Sequence, residues 1–297
     1  MQTAETRVPL LAQVRETAEM IKISHTVFAL PFALAAGALA LAAEGGWSWP
    51  TVGWIVFCAV CARTAAMAQN RLVDVRVDAE NPRTAGRALP AGRVTRAFVL
   101  GLVLIASALF VFGAWRLNRL CFVLSPVALA VLLSYPYAKR FTALCHLWLG
   151  LALGLGPVGA WLAVRGAFVD MATPLLLGSA VTLWTGGFDL IYACQDAAHD
   201  RVTGLFSVPA RRGVGYALRL SVALHALCVA LLVAVLFVNP HVGLLYGLVL
   251  LGAVALLVYE HAIVRPDDLS RVDMAFFSLN GLVSLMLGGV TIADAFV

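Results

Sequence analysis

Long runs of apolar residues alternate with short polar segments along most of the chain. Nine of these runs are about 20 residues long, the length that an α-helix needs to cross a bilayer. Their approximate bounds are 24–43, 49–69, 94–115, 119–135, 143–164, 173–194, 215–238, 242–260 and 273–295. Because polar residues do not alternate with apolar ones inside the runs, the pattern predicts helices and not the strands of a membrane barrel.

The composition supports a membrane protein. Hydrophobic residues make up 62% of the 297 residues and charged residues 12%, whereas soluble domains have about 45–50% and about 25%. The same balance excludes a disordered chain. We therefore expect residues 1–297 to form a single all-α polytopic domain embedded in the lipid bilayer.

The basic residues predict how the chain is oriented. Most of the 21 lysines and arginines lie before the first span or after the second, fourth, sixth and eighth spans. Positively charged loops remain in the cytoplasm, so the N-terminus is expected inside and the C-terminus outside. Topology thus accounts for the net charge of +5 without nucleic acid. The sequence shows no sign of an obligate protein partner.

The segment before the first span is not expected to be a signal peptide. Residues 1–23 contain three glutamates and have no small-residue cleavage site after a short apolar core. From residue 9 onwards, this segment is predicted to form an amphipathic helix that lies on the inner leaflet.

Two further patterns concern packing more than chemistry. Cys58 and Cys61 have C-x-x-C spacing, but no second pair completes a zinc site. The six cysteines are therefore expected to be buried free thiols. Gly150 and Gly154 have the spacing that allows two membrane helices to approach closely.

A polar stripe marks the cytoplasmic end of the second span. At about 100° per residue, its four members fall within about 80° of one another on a helix. They are Arg63, Asn70, Asp74 and Asp78. A carboxylate inside a membrane costs roughly 2.5–3.5 kcal/mol, so Asp74 and Asp78 are expected to face a cavity or a partner.

A second acidic pattern ends the sixth span. If the helix continues beyond that span, Asp189, Asp196 and Asp200 fall within about 40° of one another. Tyr192 then lies about 60° away.

The two D-x-x-x-D pairs have similar surroundings. Arginine and proline residues follow each pair, which is typical of a degenerate internal repeat. We expect two half-bundles, roughly 24–140 and 141–297, that meet at a shared site.

Four carboxylates that face one another need cations. Oxygen ligands select hard cations, and Mg²⁺ favours one or two carboxylates together with phosphate oxygens and water. A diphosphate held by two Mg²⁺ ions is a good leaving group, because the ions stabilise its developing charge. The motifs and their arginines therefore predict lipid diphosphate chemistry at the inner face of a membrane.

Three blocks of sequence resemble the UbiA-type superfamily of intramembrane prenyltransferases. These blocks are residues 70–84, residues 189–207 and the Y-x-x-x-K pattern within residues 135–140. The resemblance covers essentially the whole chain. It implies nine helices around a central cavity and Mg²⁺ as the cofactor.

The resemblance also implies roles for individual residues. The predicted metal ligands are Asn70, Asp74, Asp78, Asp196 and Asp200. The predicted diphosphate contacts are Arg71, Arg83, Arg87, Tyr135, Lys139 and Arg211. The predicted acceptor contacts are Arg63, Arg140, Asp189 and Tyr192. The four motif aspartates and Lys139 are the predicted catalytic residues. For the arginines, charge topology or a structural salt bridge is the alternative, and for Tyr135 it is the interfacial aromatic belt. Asp189 is a candidate base or a residue that fixes a basic side chain.

The implied reaction is ionisation of an allylic polyprenyl diphosphate, followed by attack of an electron-rich aromatic ring. The chain looks most like the 4-hydroxybenzoate polyprenyltransferase branch of quinone biosynthesis. Residues 21–31 resemble a bacterial subgroup thought in part to prenylate 1,4-dihydroxy-6-naphthoate on the futalosine route to menaquinone. Both acceptors are aromatic acids, and the choice stays open. A bacterial inner membrane with a cytoplasmic active site is expected.

A membrane transporter is the alternative outside the enzymes, because transporters also combine intramembrane acids with repeats. Here the acids cluster at one face beside arginine loops and do not line a path across the membrane. Haem, homogentisate, a chlorophyll precursor and a glycerophosphate remain as other acceptors.

Overall fold

Helices joined by short loops account for most of the chain. The computed structural model describes residues 28–297 together with Pro9, Gln13 and Glu16. The α-helices, numbered along the chain, are α1 Leu30–Ala43, α2 Trp49–Glu80, α3 Arg96–Leu117, α4 Arg119–Ala138, α5 Cys145–Arg165, α6 Ala172–Ala193, α7 Ala197–Val202, α8 Val208–Arg212, α9 Val214–Val238, α10 Leu244–Ile263 and α11 Asn280–Asp294. A 3₁₀ turn, Cys194–Asp196, joins α6 to α7, and a π-helical turn, Met274–Leu279, precedes α11.

The predicted membrane helices are confirmed. Eight helical segments in the described part of the chain are long and apolar enough to cross a membrane. The shorter apolar helix α1 occupies the first predicted span, whose residues 24–27 lie outside the described part. The fourth predicted span corresponds to α4, which continues to Ala138 although Pro126 lies inside it.

The predicted interfacial segment, residues 1–23, lies outside the described residues except at the three positions named above. Two of these contact the segment between α2 and α3. Gln13 Oε1 accepts a hydrogen bond from the backbone N–H of Thr95 at 3.1 Å. Glu16 Oε2 accepts one from Arg93 Nε at 2.8 Å.

Helix α2 is much longer than the span predicted from hydrophobicity. Its 32 residues correspond to about 48 Å, whereas the hydrocarbon core is about 30 Å thick. The additional turns contain Asn70, Asp74 and Asp78. These residues therefore remain in helical register with the apolar part of α2 while lying towards its polar end.

An aromatic core fixes the position of α6. Phe188 of α6 packs against Phe28 and Phe276, with ring centroids 5.5 and 5.2 Å apart. Trp184 lies one turn earlier and contacts Phe188 edge to face at 5.0 Å. These rings join α6 to the region just before α1 and to the π-helical turn that precedes α11. The acidic end of α6 is therefore held in place by segments from the N-terminal and the C-terminal parts of the described residues.

Helices α5 and α6 approach each other through glycines. A Cβ atom on Gly150 would lie 2.2 Å from the carbonyl oxygen of Thr182, and one on Gly154 would lie 2.4 Å from that of Gly178. No side chain fits at such distances. The close packing predicted from the spacing of these glycines is confirmed. The six cysteines are free, but the prediction that all six are buried is wrong for two: Cys121 and Cys145 are half-buried.

The glycine contact gives a test of the helix packing. We expect Gly150→Ala to lower the thermal unfolding temperature in detergent, because overpacking a tight contact costs about 1–3 kcal/mol. Gly101→Ala on α3 is the matched control, since a Cβ there meets nothing within 4 Å. Equal unfolding temperatures for the two variants would contradict the close contact.

Candidate active site

The first acidic motif is paired with the end of α4. Asp74 is 3% exposed, and its Oδ2 lies 2.7 Å from Lys139 Nζ. Its other oxygen lies 3.2 Å from a guanidinium nitrogen of Arg140. Asn70, one turn earlier, donates a hydrogen bond to Asp74 at 3.3 Å. The two basic residues that follow α4 therefore balance a carboxylate buried on α2.

Asp78 is balanced by the segment that follows its own helix. One guanidinium nitrogen of Arg87 lies 2.7 and 2.8 Å from the two oxygens of Asp78. Arg71, two turns before, approaches it at 3.5 Å. The Thr84 hydroxyl donates a hydrogen bond to the backbone carbonyl of Asp78 at 3.0 Å. The segment after α2 thus folds back over the helix end.

The second motif is bonded to the same segment. Asp196 accepts hydrogen bonds at 2.9 Å from Asn81 Nδ2 and from Arg83 Nε, and a second Arg83 nitrogen contacts its other oxygen. Arg83 also donates to the Tyr192 hydroxyl at 2.8 Å. Burial lowers the pKa of the Arg83 guanidinium, but the hydrogen bonds and charge interactions with Asp196 and Tyr192 together outweigh burial and raise that pKa above its ordinary value. Arg83 therefore stays charged and joins the two motifs.

Asp200 lies on the far side of the same site. The Ser207 hydroxyl lies 2.6 Å from its Oδ2. The neighbouring Phe206 donates its backbone N–H to the carbonyl oxygen of Lys139 at 2.7 Å. Lys139 therefore bonds Asp74 through its side chain and the segment after α7 through its backbone. The two motifs, far apart in the sequence, meet at one end of the bundle.

The prediction of a continuous helix through the second motif is wrong. The 3₁₀ turn Cys194–Asp196 interrupts it, so the three acids do not share one stripe. Asp196 and Asp200 face the shared site, whereas Asp189 Oδ2 lies 2.6 Å from Nδ1 of His146. Sequence reasoning did not single out His146, because one histidine at the start of an apolar run has no motif.

The remaining predicted residues fall into two groups. Arg140 and Tyr192 are bonded to members of the acidic site. Arg211 instead lies 3.8 Å above the ring of Phe206. Tyr135 donates a long hydrogen bond of 3.5 Å to the carbonyl of Ala66.

An apolar cavity of about 360 Å³ lies between helices α1 to α5. Arg63 and Tyr135 line it on the side nearer the aspartates, and Leu117 and Cys121 line its other end. Among the described residues that line the cavity, Arg63 is the only one that carries a charge. The site therefore consists of a cluster of acidic and basic side chains and an apolar cavity beside it.

The donor chemistry of the site fits Mg²⁺ in the presence of a phosphate. In the described part of the chain, no three histidine, cysteine or acidic side chains converge closely enough to hold an ion alone. Instead, two carboxylate pairs lie beside basic groups. Since Mg²⁺ prefers one or two carboxylates with phosphate oxygens completing its shell, this set could hold a metal–diphosphate complex.

Comparison with known sequences identifies the family of this chain. Residues 29–282 match the UbiA prenyltransferase family. The chain belongs to this family. It is 30% identical over 256 residues to a 4-hydroxybenzoate octaprenyltransferase of Vibrio parahaemolyticus, covering 86% of this chain and 89% of that one. It is 33% identical over 252 residues to a 4-hydroxybenzoate solanesyltransferase of Synechocystis, covering 84% and 85%.

Solved structures share the architecture. The apo structure of a UbiA homologue from Aeropyrum pernix superposes with a TM-score of 0.83 at 34% identity, covering 92% of this chain and 98% of that one. A UbiA homologue from Archaeoglobus fulgidus bound to DMAPP and Mg²⁺ superposes with a TM-score of 0.72 at 18% identity, covering 95% and 98%. The second likeness concerns the fold alone.

Proposed function

We propose that this protein transfers a polyprenyl group from an allylic diphosphate to the ring of an aromatic acid. One observation carries the proposal: two paired-aspartate motifs meet, with five basic side chains around them, beside an apolar cavity. The names of the relatives from Vibrio and Synechocystis support 4-hydroxybenzoate as the acceptor.

The aspartates Asp74, Asp78, Asp196 and Asp200, with Asn70, are the proposed metal ligands. Mg²⁺ bound there would stabilise the charge that develops on the leaving diphosphate. Lys139, Arg83 and Arg87 already hold these carboxylates by 2.7–2.9 Å contacts. When a diphosphate binds, the same side chains are placed to donate to its oxygens. Arg71 adds a further positive charge beside Asp78.

The cavity is the proposed site of the isoprenoid chain. Its lining is mostly aliphatic, and it is formed by the helices that carry the first motif and Lys139. Each buried CH₂ group contributes about 0.8 kcal/mol, so the chain supplies binding energy that holds the diphosphate end in place. This arrangement explains why the site lies within a membrane bundle.

Arg63 is the proposed partner of the acceptor carboxylate. It lines the cavity together with Tyr135 and lies about three turns before Asp74 on the same helix. Arg140, the other candidate, is bonded to Asp74 and to the carbonyl of Val73 at 2.7 Å. These two bonds suit Arg140 for stabilising the end of α2 and not for binding the acceptor.

The charge distribution supports a cytoplasmic active site in a bacterial inner membrane. The segments after the second, fourth and sixth predicted spans contain 12 of the 21 lysines and arginines, and these include Arg83, Arg87 and Lys139 of the site. Such loops remain on the inner side. An N-terminus inside and a C-terminus outside follow from this orientation.

The metal assignment can be tested by charge removal. Asp74→Asn and Asp196→Asn should each lower Mg²⁺-dependent polyprenyl transfer by about 100-fold or more, because the metal supplies several kcal/mol of charge stabilisation. Transfer is measured in membranes with radiolabelled diphosphate, and thermal stability is measured in parallel. Asp267→Asn, an exposed aspartate in the α10–α11 segment, is the matched control. Normal turnover in Asp74→Asn or Asp196→Asn would remove the assignment.

The acceptor can be identified by direct comparison. Purified enzyme is given 4-hydroxybenzoate or 1,4-dihydroxy-6-naphthoate with the same polyprenyl diphosphate and Mg²⁺, and the products are weighed by mass spectrometry. We expect a prenylated 4-hydroxybenzoate. If only the naphthoate is prenylated, it replaces 4-hydroxybenzoate as the proposed acceptor. If neither acid is prenylated, the protein is not an aromatic-acid prenyltransferase.

The proposed role of Arg63 predicts a change in the KM for one of the two substrates. Arg63→Gln should raise the KM for the aromatic acid about 10-fold, because a charge-assisted hydrogen bond contributes roughly 1.5–3 kcal/mol. The KM for the diphosphate should change much less. With an acceptor that lacks the carboxylate, the variant and the parent should behave alike. Arg116→Gln is the control, since Arg116 stacks on Trp54 and Trp115, away from the motifs.

A further inference from the structure

A buried polar cluster joins three helices of the second half-bundle. Glu260 on α10 and Asn280, the first residue of α11, are almost fully buried. Asn280 Nδ2 donates a hydrogen bond to Glu260 Oε1 at 2.8 Å, and Trp184 of α6 donates its indole N–H to Asn280 Oδ1 at 2.6 Å. Polar side chains inside a membrane bundle are costly and usually have a functional role.

The asparagine of this cluster also holds the π-helical turn that precedes its own helix. Its Nδ2 lies 2.9 Å from the carbonyl oxygen of Ala275, five residues earlier. A π-helix forms its backbone bonds at the same separation, and π-helical turns are rare and frequently lie at functional sites. One side-chain amide therefore ties the turn Met274–Leu279 to both α10 and α6.

The π-helical turn contacts the segment that presents the second acidic motif. Phe276 of the turn packs on the ring of Tyr192, with centroids 4.3 Å apart. Asp273, immediately before the turn, accepts a long hydrogen bond of 3.5 Å from Gln195 Nε2. Tyr192 lies at the end of α6, and Gln195 lies in the 3₁₀ turn beside Asp196. The π-helical turn thus supports the 3₁₀ turn from behind.

Tyr192 connects this support to the basic groups of the site. Its hydroxyl accepts a hydrogen bond from Arg83 at 2.8 Å, and the Arg83 guanidinium also lies 5.1 Å from the centre of its ring. The same guanidinium bonds both oxygens of Asp196. Direct contacts therefore run without a gap from the π-helical turn to a proposed metal ligand.

We infer that Asn280 is a positioning residue for the metal–diphosphate site and that it acts through the π-helical turn on Asp196; this inference rests on the metal ligands of the proposed function. Asn280 fixes the turn, and the turn fixes Tyr192 and Gln195. These two residues hold the 3₁₀ turn that carries Asp196. A buried polar network with its hydrogen bonds made is rigid, and residues behind a metal ligand set the direction of that ligand.

Glu260 serves in this network as a hydrogen-bond acceptor, and no charge is required of it. Only its Oε1 bonds Asn280. Its Oε2 has no hydrogen-bond partner among the described residues and lies 3.9 Å from Nδ1 of His225. That nitrogen is bonded to His261 at 2.9 Å instead. A glutamine in place of Glu260 would keep the oxygen that Asn280 needs.

The test measures binding at the metal site separately from turnover. The full chain in detergent is titrated with inorganic pyrophosphate in the presence of Mg²⁺, and the Kd is obtained by calorimetry. We expect Asn280→Leu to raise this Kd by about 10–100-fold, the usual effect of removing the support behind a metal ligand. Glu260→Leu should also raise it, whereas Glu260→Gln should bind as the parent does. Equal losses in the two Glu260 variants would overturn the role of acceptor.

The matched control is another buried asparagine. Asn239 donates a hydrogen bond to Thr173 at 3.1 Å, at the start of α6 and thus at the end away from the second motif. Asn239→Leu should lower the unfolding temperature and leave the Kd unchanged. In an Asp196→Asn background, Asn280→Leu should add little to the Kd, because both changes act through one ligand. Fully additive effects would overturn the inference.

A second variant keeps the test decisive if Asn280→Leu does not fold. Phe276→Leu leaves the polar cluster in place, removes the ring contact with Tyr192 and should raise the same Kd. A parent that binds Mg²⁺ and pyrophosphate, with folded variants of Asn280 and Phe276 that bind equally well, would overturn this inference alone. A parent that does not bind them would overturn the metal assignment and this inference together. Polyprenyl transfer by the same parent tests the proposed function independently.

Discussion

Charge compensation at one end of an apolar bundle is the constraint that organises this protein. Asp74 and Asp78 are almost fully buried, and a buried carboxylate without a partner destabilises a fold by several kcal/mol. Their partners come from separate parts of the chain: Lys139 and Arg140 follow α4, and Arg87 follows α2. Arg83, which also follows α2, pairs with Asp196 of the second motif. The same ion pairs that satisfy the acids therefore hold the ends of α2, α4 and α6 together.

The ion pairs leave hydrogen-bond donors on the basic side chains that a more highly charged ligand can use. Each basic side chain has several donors, and in the ion pairs only some of them contact a carboxylate. A diphosphate with divalent cations can replace both members of each ion pair. The cations can bind the carboxylates, and the phosphate oxygens can accept hydrogen bonds from the basic side chains. Exchange of partners avoids the cost of leaving a buried charge without one.

The sequence predicts the first motif better than the second. Around Asp74, apolar and polar residues keep one helical period, and α2 continues through Asp78 as that period requires. Around Asp196, a 3₁₀ turn advances by about 120° per residue instead of 100°, which the hydrophobic pattern does not reveal. The contact of His146 with Asp189 is harder still to foresee, because it depends on the distance between two helices and not on spacing within one.

The glycines that join α5 and α6 have a consequence for a buried polar contact as well as for stability. His146 precedes Gly150 by one turn, and a Cβ on Gly186, three residues before Asp189, would lie 3.7 Å from the His146 carbonyl. The separation of the two helix backbones thus sets the reach between imidazole and carboxylate. Bulkier residues between these two helices would push the backbones apart and change the geometry of the His146–Asp189 contact even where the bundle still assembles. A substitution at these glycines would therefore disturb a polar contact one turn away as well as the packing at the glycine itself.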